Sequence, residues 1–210
     1  GVRLTIDLRG GMGTTEPEMS EYIKVWLRVL WGVLLVCWLL MGIRTKKPSV
    51  QEGFHHRFLF YWLPLMVAAY LLGPGEWFGH SLIRENFVPH TDRVGIIGLI
   101  LSTVGVCIAC WSRYLLGGNW SLSVQKKEAH ALITSGPYKW VRHPIYSGLL
   151  LLFLGNAVIV GDYRGLLAVA IVLLSFWYKL RKEERLLVEV FGAEYIAYTR
   201  RTKALVPWVC

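Results

Sequence analysis

Five long apolar runs alternate with shorter polar segments along this chain of 210 residues. A helix needs roughly 20 residues to cross a bilayer, and the first and third runs reach that length. Pro64 predicts a kink in the second run, and the fourth is short enough to form a tilted hairpin with the fifth, turning at 161–163. We predict membrane-spanning helices at about 25–43, 58–72, 94–116, 145–160 and 166–180.

The composition supports an all-α integral membrane protein. Hydrophobic residues make up 54% of the chain, and the mean hydropathy is +0.43. Ten Trp and ten Tyr are typical of the aromatic belts at the two bilayer surfaces. The net charge of +9 does not predict nucleic-acid binding, because the cations lie in short stretches between apolar runs. They are better placed to set the topology and to contact anionic membrane lipids.

Arg and Lys alternate between loops in a way that predicts the orientation of the chain. The loops before the second and fourth runs carry four cations each, whereas the two other loops carry two and one. The segment after residue 178 carries seven. Because cations favour the cytoplasmic side, we predict an external N-terminus and a cytoplasmic C-terminal helical arm. We divide the chain into a mobile tail at 1–21, membrane helices at 22–116 and a cofactor-binding region at 117–210.

A polar cluster, Arg142-His143-Pro144, stands immediately before the fourth apolar run. Proline suits the first turn of a helix, so a helix is expected to begin there. Its free amides, its positive dipole end and the Arg142 guanidinium would hold a carboxylate or phosphate. An ordinary interfacial Arg and His beside a membrane helix is the alternative interpretation.

Glu183 is predicted to lie on the same side of the membrane and to form the second part of this site. The segment after the fifth run continues at helical period, with Glu183, Leu187 and Phe191 on one face. A charge on an apolar face needs a partner, and Lys179 or Arg142 would serve. We expect Glu184 and Glu189 to lie on a solvated face.

The order and spacing of several segments resemble the isoprenylcysteine carboxyl methyltransferase family. The resemblance covers roughly the C-terminal half. Its segments are Leu116–Ser121, His130–Tyr138, Val141–Gly148, the pair Glu183-Glu184, and Phe191–Tyr195 with Tyr198.

This resemblance implies a cytoplasm-facing S-adenosylmethionine site, closed by the C-terminal arm and open laterally to a lipidic substrate. Lys179 stands where the family places a substrate-contacting Arg, and Lys cannot supply a bidentate fork. We expect Lys179, Glu183 and Arg142 to serve the reaction. The expected cofactor-binding residues are Gln125, His130, Ala131, Leu132, Ile133, Tyr138, His143, Pro144, Ile145, Tyr146 and Glu183.

We therefore predict a membrane enzyme that methylates a membrane-embedded acceptor, first of all the carboxylate of a prenylcysteine-like substrate. An NADPH-dependent, sterol-reductase-like oxidoreductase and a phospholipid N-methyltransferase are the alternatives, and a non-catalytic protein of the same fold is a third. Neither a metal nor an obligate protein partner is expected. His55-His56-Arg57 is interpreted as a basic interfacial cluster, because it lacks a third ligand at helical spacing.

Overall fold

The computed structural model describes residues 20–42, 53–73, 75–117 and 132–206. Within these ranges the secondary structure is helical apart from two isolated β-bridges. A π-helical stretch, Phe58–Trp62, joins the second and third helices, and short 3-10 turns occupy Gly75–Phe78, Leu82–Arg84 and Gly136–Lys139. The α-helices are α1 (Glu21–Gly42), α2 (Phe54–Arg57), α3 (Leu63–Leu71), α4 (Asp92–Leu116), α5 (Pro144–Val160), α6 (Tyr163–Phe191) and α7 (Ala193–Arg201).

Three of these helices are long and apolar enough to cross a membrane: α1, α4 and α6. Helix α5 is apolar but has only 17 residues. The α1 window is almost entirely exposed, with 6% of its residues buried, and such an apolar surface requires lipid rather than water. The protein is therefore integral to a membrane. Helices lie at all five predicted positions, but five complete crossings stay a prediction.

A π-helical stretch ends two residues before Pro64, and the kink predicted at this proline stays a prediction. Proline has no amide hydrogen, so the carbonyl of Phe60, four residues earlier, loses its normal helical donor. Ser175 of α6 replaces that donor, with its Oγ 2.8 Å from the Phe60 carbonyl oxygen. The proline therefore changes the helix geometry and also creates a hydrogen bond to α6.

Helices α4 and α5 pack with their backbones in close contact. An ideal Cβ on Gly148 of α5 would lie 2.5 Å from the Gly105 carbonyl oxygen and 2.7 Å from the Ala109 amide nitrogen. Gly98 and Gly155 face each other in the same way nearer the other end of the pair. Small residues of this kind let membrane helices approach closely, and here they fix α5, whose first turn carries the candidate site.

The opposite end of the α5–α6 pair is closed by a buried ion pair. Arg164 Nε donates to Asp162 Oδ2 at 2.6 Å, and Arg164 Nη1 donates to the Leu71 and Gly73 carbonyls at 3.3 and 2.6 Å. Gly161 ends α5 with φ +76°, a left-handed conformation that favours glycine. The turn is thereby tied to the end of α3.

Helix α6 does not stop where the fifth apolar run ends. It continues without a break to Phe191, and Gly192, with φ +54°, starts α7. The predicted C-terminal arm therefore consists of the end of α6, α7 and the segment 202–206. The tail predicted at the other terminus lies outside the described residues, apart from its last two positions.

We predict that Gly148→Ala lowers the melting temperature of the detergent-solubilised protein. The new methyl group would collide with backbone atoms that cannot rotate away, at a cost of about 1–3 kcal/mol, or a decrease of roughly 3–10 °C for a chain of this size. Gly32→Ala is the matched control, because Gly32 lies on the exposed face of α1 and a Cβ there would meet no atom within 4 Å. Equal melting temperatures for both variants would contradict the close packing of α4 and α5.

Candidate functional site

The polar cluster before α5 is held by the segment that follows α7. Val141 and Lys203 form a parallel β-bridge. The Arg142 amide donates to the Lys203 carbonyl at 2.8 Å, and the His143 amide donates to the Ala204 carbonyl at 3.0 Å. Ser147 Oγ, one turn into α5, donates to the Leu205 carbonyl at 2.6 Å. The segment 202–205 therefore fixes the backbone from which the candidate site is built.

Glu183 is brought against the first turn of α5, as the sequence predicted for the second half of the site. The Tyr146 hydroxyl donates to Glu183 Oε1 at 2.6 Å, and His143 Nδ1 lies 3.6 Å from Glu183 Oε2. The His143 ring stacks on Tyr146 with centroids 5.6 Å apart. The Glu183 side chain is 21% exposed, whereas that of His143 is 6% exposed, so the carboxylate is the part of this group that a ligand can reach.

Glu184 also belongs to the cluster: its side chain is 21% exposed, like that of Glu183, but it is paired with another segment and does not lie on an ordinary solvated face. Arg142 Nε donates to Glu184 Oε1 at 2.7 Å, and His143 Nε2 lies 3.3 Å from the same oxygen. Successive helical residues point about 100° apart, so one imidazole placed between Glu183 and Glu184 meets a different carboxylate at each ring nitrogen. Periodicity along α6 alone does not show a partner that comes from another segment.

The Arg142 guanidinium donates hydrogen bonds to the C-terminal arm as well as to Glu184. Its Nη1 donates to the Thr202 carbonyl and, at 3.5 Å, to the Thr199 carbonyl. The Arg142 side chain is 12% exposed. In this arrangement Arg142 positions Glu184 and the chain after α7, and its direct contact with a substrate, expected from the sequence, stays a prediction.

Lys179 lies one turn before Glu183 but does not pair with it within the described ranges. Its Nζ lies over two aromatic rings, 5.1 Å from the centroid of Tyr61 and 5.6 Å from that of Tyr146. Such cation–π contacts stabilise an ammonium while leaving its N–H groups available to an anion. Tyr61 was not among the predicted site residues, because only the tertiary structure brings its π-helical segment to α6.

Tyr138 anchors the loop that leads into the cluster. Its hydroxyl donates to the Ser112 carbonyl at 3.4 Å, and its own carbonyl accepts from the Tyr198 hydroxyl at 2.5 Å. Burial raises the pKa of Tyr198 to about 12, so this hydroxyl remains a donor at neutral pH.

Of the other predicted cofactor residues, the structure describes four and leaves three outside its described ranges. Pro144 and Ile145 open α5 and are buried, and Leu132 and Ile133 are half-buried in the preceding segment. Gln125, His130 and Ala131 lie outside the described residues.

Part of the chain is similar to a known protein family. Residues 94–194, which contain α5, α6 and all but the first two residues of α4, match the phospholipid methyltransferase family. This match covers just under half of the chain.

Individual relatives narrow the assignment. The human protein-S-isoprenylcysteine O-methyltransferase is 29% identical over 141 residues, covering 64% of this chain and 49% of the human protein. The Saccharomyces cerevisiae enzyme of the same name is 27% identical, covering 70% and 60%, and enzyme B of Arabidopsis thaliana is 34% identical, covering 42% and 45%. Over part of its length this chain is similar to protein-S-isoprenylcysteine O-methyltransferases.

The coverage of these relatives is partial. The chain spans about half the length of the human protein that it matches. A solved structure of the eukaryotic intramembrane Ras methyltransferase ICMT aligns with a TM-score of 0.47 at 24% identity, covering 76% of this chain and 55% of that one.

We predict that Arg142→Lys loosens the arm. A single ammonium cannot make the several hydrogen bonds of the guanidinium fork, and losing one charge-assisted bond typically costs about 1.5 kcal/mol or more. Hydrogen exchange measured by mass spectrometry should therefore be about tenfold faster in peptides covering 195–206. Arg200→Lys, on the exposed side of α7, is the control. Unchanged protection in Arg142→Lys, or the same acceleration in the control, would contradict the role given to Arg142.

Proposed function

We propose that this protein transfers a methyl group from S-adenosylmethionine to the carboxylate of a prenylcysteine-like acceptor that enters from the bilayer. The observation that carries the proposal is the partly exposed Glu183 carboxylate, held by Tyr146 and His143 at the start of α5. The names of the relatives support the same reaction class and acceptor.

The chemistry of the cluster fits S-adenosylmethionine. Glu183 offers an acceptor for the ammonium or ribose hydroxyl groups, and the first turn of α5 offers the positive end of a helix to the carboxylate. His143, Pro144, Ile145 and Tyr146 would form that end of the site. Tyr138 and the segment that contains Gln125, His130, Ala131, Leu132 and Ile133 would complete it.

When bound, S-adenosylmethionine supplies an electrophilic methyl group on a positively charged sulfur. The chain needs no general base for a carboxylate acceptor, which is already ionised at neutral pH. Its task is to align the two reactants and to exclude water from them. We assign the acceptor carboxylate to Lys179, whose ammonium is held between Tyr61 and Tyr146 one turn from Glu183.

The membrane arrangement is part of the proposal. We place the N-terminus outside and both the site and the C-terminus in the cytoplasm, with five spans in total. Residues 117–210 would then form the cofactor-binding region, closed by the arm. The loop cations support this orientation, and the hydrogen bonds from Arg142, His143 and Ser147 to residues 202–205 support closure by the arm.

We predict that His143→Ala and Glu183→Gln each weaken binding of S-adenosylmethionine at least about tenfold, because each removes a polar contact worth roughly 1.5 kcal/mol or more. Isothermal titration calorimetry with S-adenosylmethionine, S-adenosylhomocysteine and NADPH provides the measurement. Glu189→Gln is the matched control, since Glu189 is exposed near the same end of α6. Binding of NADPH alone would refute methyl transfer, and unchanged affinity in both variants would refute this site.

We predict that Lys179→Ala raises the KM for a farnesylcysteine acceptor about tenfold or more, because a charge-assisted contact is lost, and leaves the affinity for S-adenosylmethionine unchanged. Lys179→Arg should restore most of the lost KM. Labelled methyl transfer to farnesylcysteine and to phosphatidylethanolamine provides the measurement. Methylation of phosphatidylethanolamine in place of farnesylcysteine would overturn the proposed acceptor, and an equal loss of cofactor affinity would place Lys179 at the cofactor instead.

A further inference from the structure

The outward face of α6, opposite the cluster around Glu183, carries a groove that the proposed reaction does not use. It has a volume of about 360 Å³ and is lined by Leu174, Trp177, Tyr178, Arg181, Lys182 and Arg185. We call these six residues the basic groove. Successive members are separated by one or three positions, so they form one stripe along the helix.

The stripe changes chemistry in a fixed order along the helix axis. Leu174 is 69% exposed and Trp177 and Tyr178 are partly exposed, whereas the three residues that follow are cations. The distance from Leu174 to Arg185 along the axis is about 16 Å at 1.5 Å per residue. An apolar end, an aromatic level and a cationic end follow the order of acyl chain, glycerol region and phosphate in a bilayer leaflet.

The two arginines of the basic groove are not neutralised by the neighbouring carboxylates of α6. Glu183 and Glu184 point to the other side, where they contact groups at the start of α5 and just before it. Glu189 follows Arg185 by four residues, but no ion pair joins the two in the part of the chain that the structure describes. The groove therefore presents positive charge, and its lining residues include no carboxylate.

Aromatic side chains hold this surface in shape. The Arg181 guanidinium lies over the Trp177 ring, 4.7 Å from its centroid. Tyr178 stacks on Phe60 with centroids 4.9 Å apart, and its hydroxyl lies 3.1 Å from His56 Nε2. These contacts connect the groove to the π-helical segment and limit the conformations open to its aromatic and cationic groups.

We propose that the basic groove binds one anionic phospholipid, with its phosphate at Arg181, Lys182 and Arg185 and an acyl chain along Leu174 and Trp177. Charge complementarity selects an anionic headgroup over a zwitterionic one. The apolar end selects a membrane lipid over a soluble phosphate. This site is separate from the proposed cofactor and acceptor sites.

Native mass spectrometry of the detergent-solubilised full chain tests the proposal, with dioleoylphosphatidylglycerol, dioleoylphosphatidylcholine and glycerol 3-phosphate as probes. The wild-type protein should bind phosphatidylglycerol more tightly than either other probe. Arg181→Gln/Arg185→Gln should weaken the first phosphatidylglycerol event at least about tenfold, given the contribution of each cation near a lipid headgroup.

The matched control is Arg200→Gln/Arg201→Gln, which removes the same charge from an exposed face of α7 and should change the affinity less than about twofold, because these cations lie outside the groove. Equal loss in both double variants would show attraction to net charge and overturn the site. Phosphatidylcholine or glycerol 3-phosphate binding as tightly as phosphatidylglycerol would overturn the assigned ligand. Because neither variant touches the cluster around Glu183, retained calorimetric binding of S-adenosylmethionine separates this test from that of the proposed function.

Discussion

The Arg142 guanidinium joins the three segments on which the candidate site depends. It stands just before α5, it pairs with Glu184 near the end of α6, and it donates to carbonyls of Thr199 and Thr202 around the end of α7. Glu184 in turn contacts His143, whose other ring nitrogen faces Glu183. Arg142 therefore orients Glu184, and Glu184 orients the His143 imidazole. Supporting contacts of this kind keep a polar side chain in one geometry.

The π-helical segment contributes a residue to the candidate site. Pro64 removes a helical donor, the π-helical segment accommodates the change, and Ser175 satisfies the Phe60 carbonyl. The next residue, Tyr61, then faces Lys179. Non-helical hydrogen bonding inside a membrane protein is tolerated where a neighbouring helix supplies the missing partner. Here that exchange also brings an aromatic ring to the cation proposed to contact the acceptor.

Much of the helical framework could be predicted, because it depends on local signals. Apolar run length located the helices, and the proline position located the start of α5, predicted at Ile145 and observed one residue earlier at Pro144. The contact between Glu183 and the α5 end followed from placing both on one side of the membrane. The roles of Glu184 and Tyr61 did not follow, because each depends on a partner from another segment. Helical period gives the direction of a side chain but not what the neighbouring segment places there.

Helix α6 combines two opposite electrostatic tasks in little more than one turn. Its inward carboxylates, Glu183 and Glu184, are compensated by groups from α5 and the residues before it. Of its outward cations, Arg181 is thereby left without Glu184, its i,i+3 neighbour, as an intrahelical partner. Had Glu184 been solvated, an i,i+3 attraction to Arg181 would have competed for the charge of that arginine. Holding Glu184 in the inner site therefore leaves the charge of Arg181 to the outer face of α6.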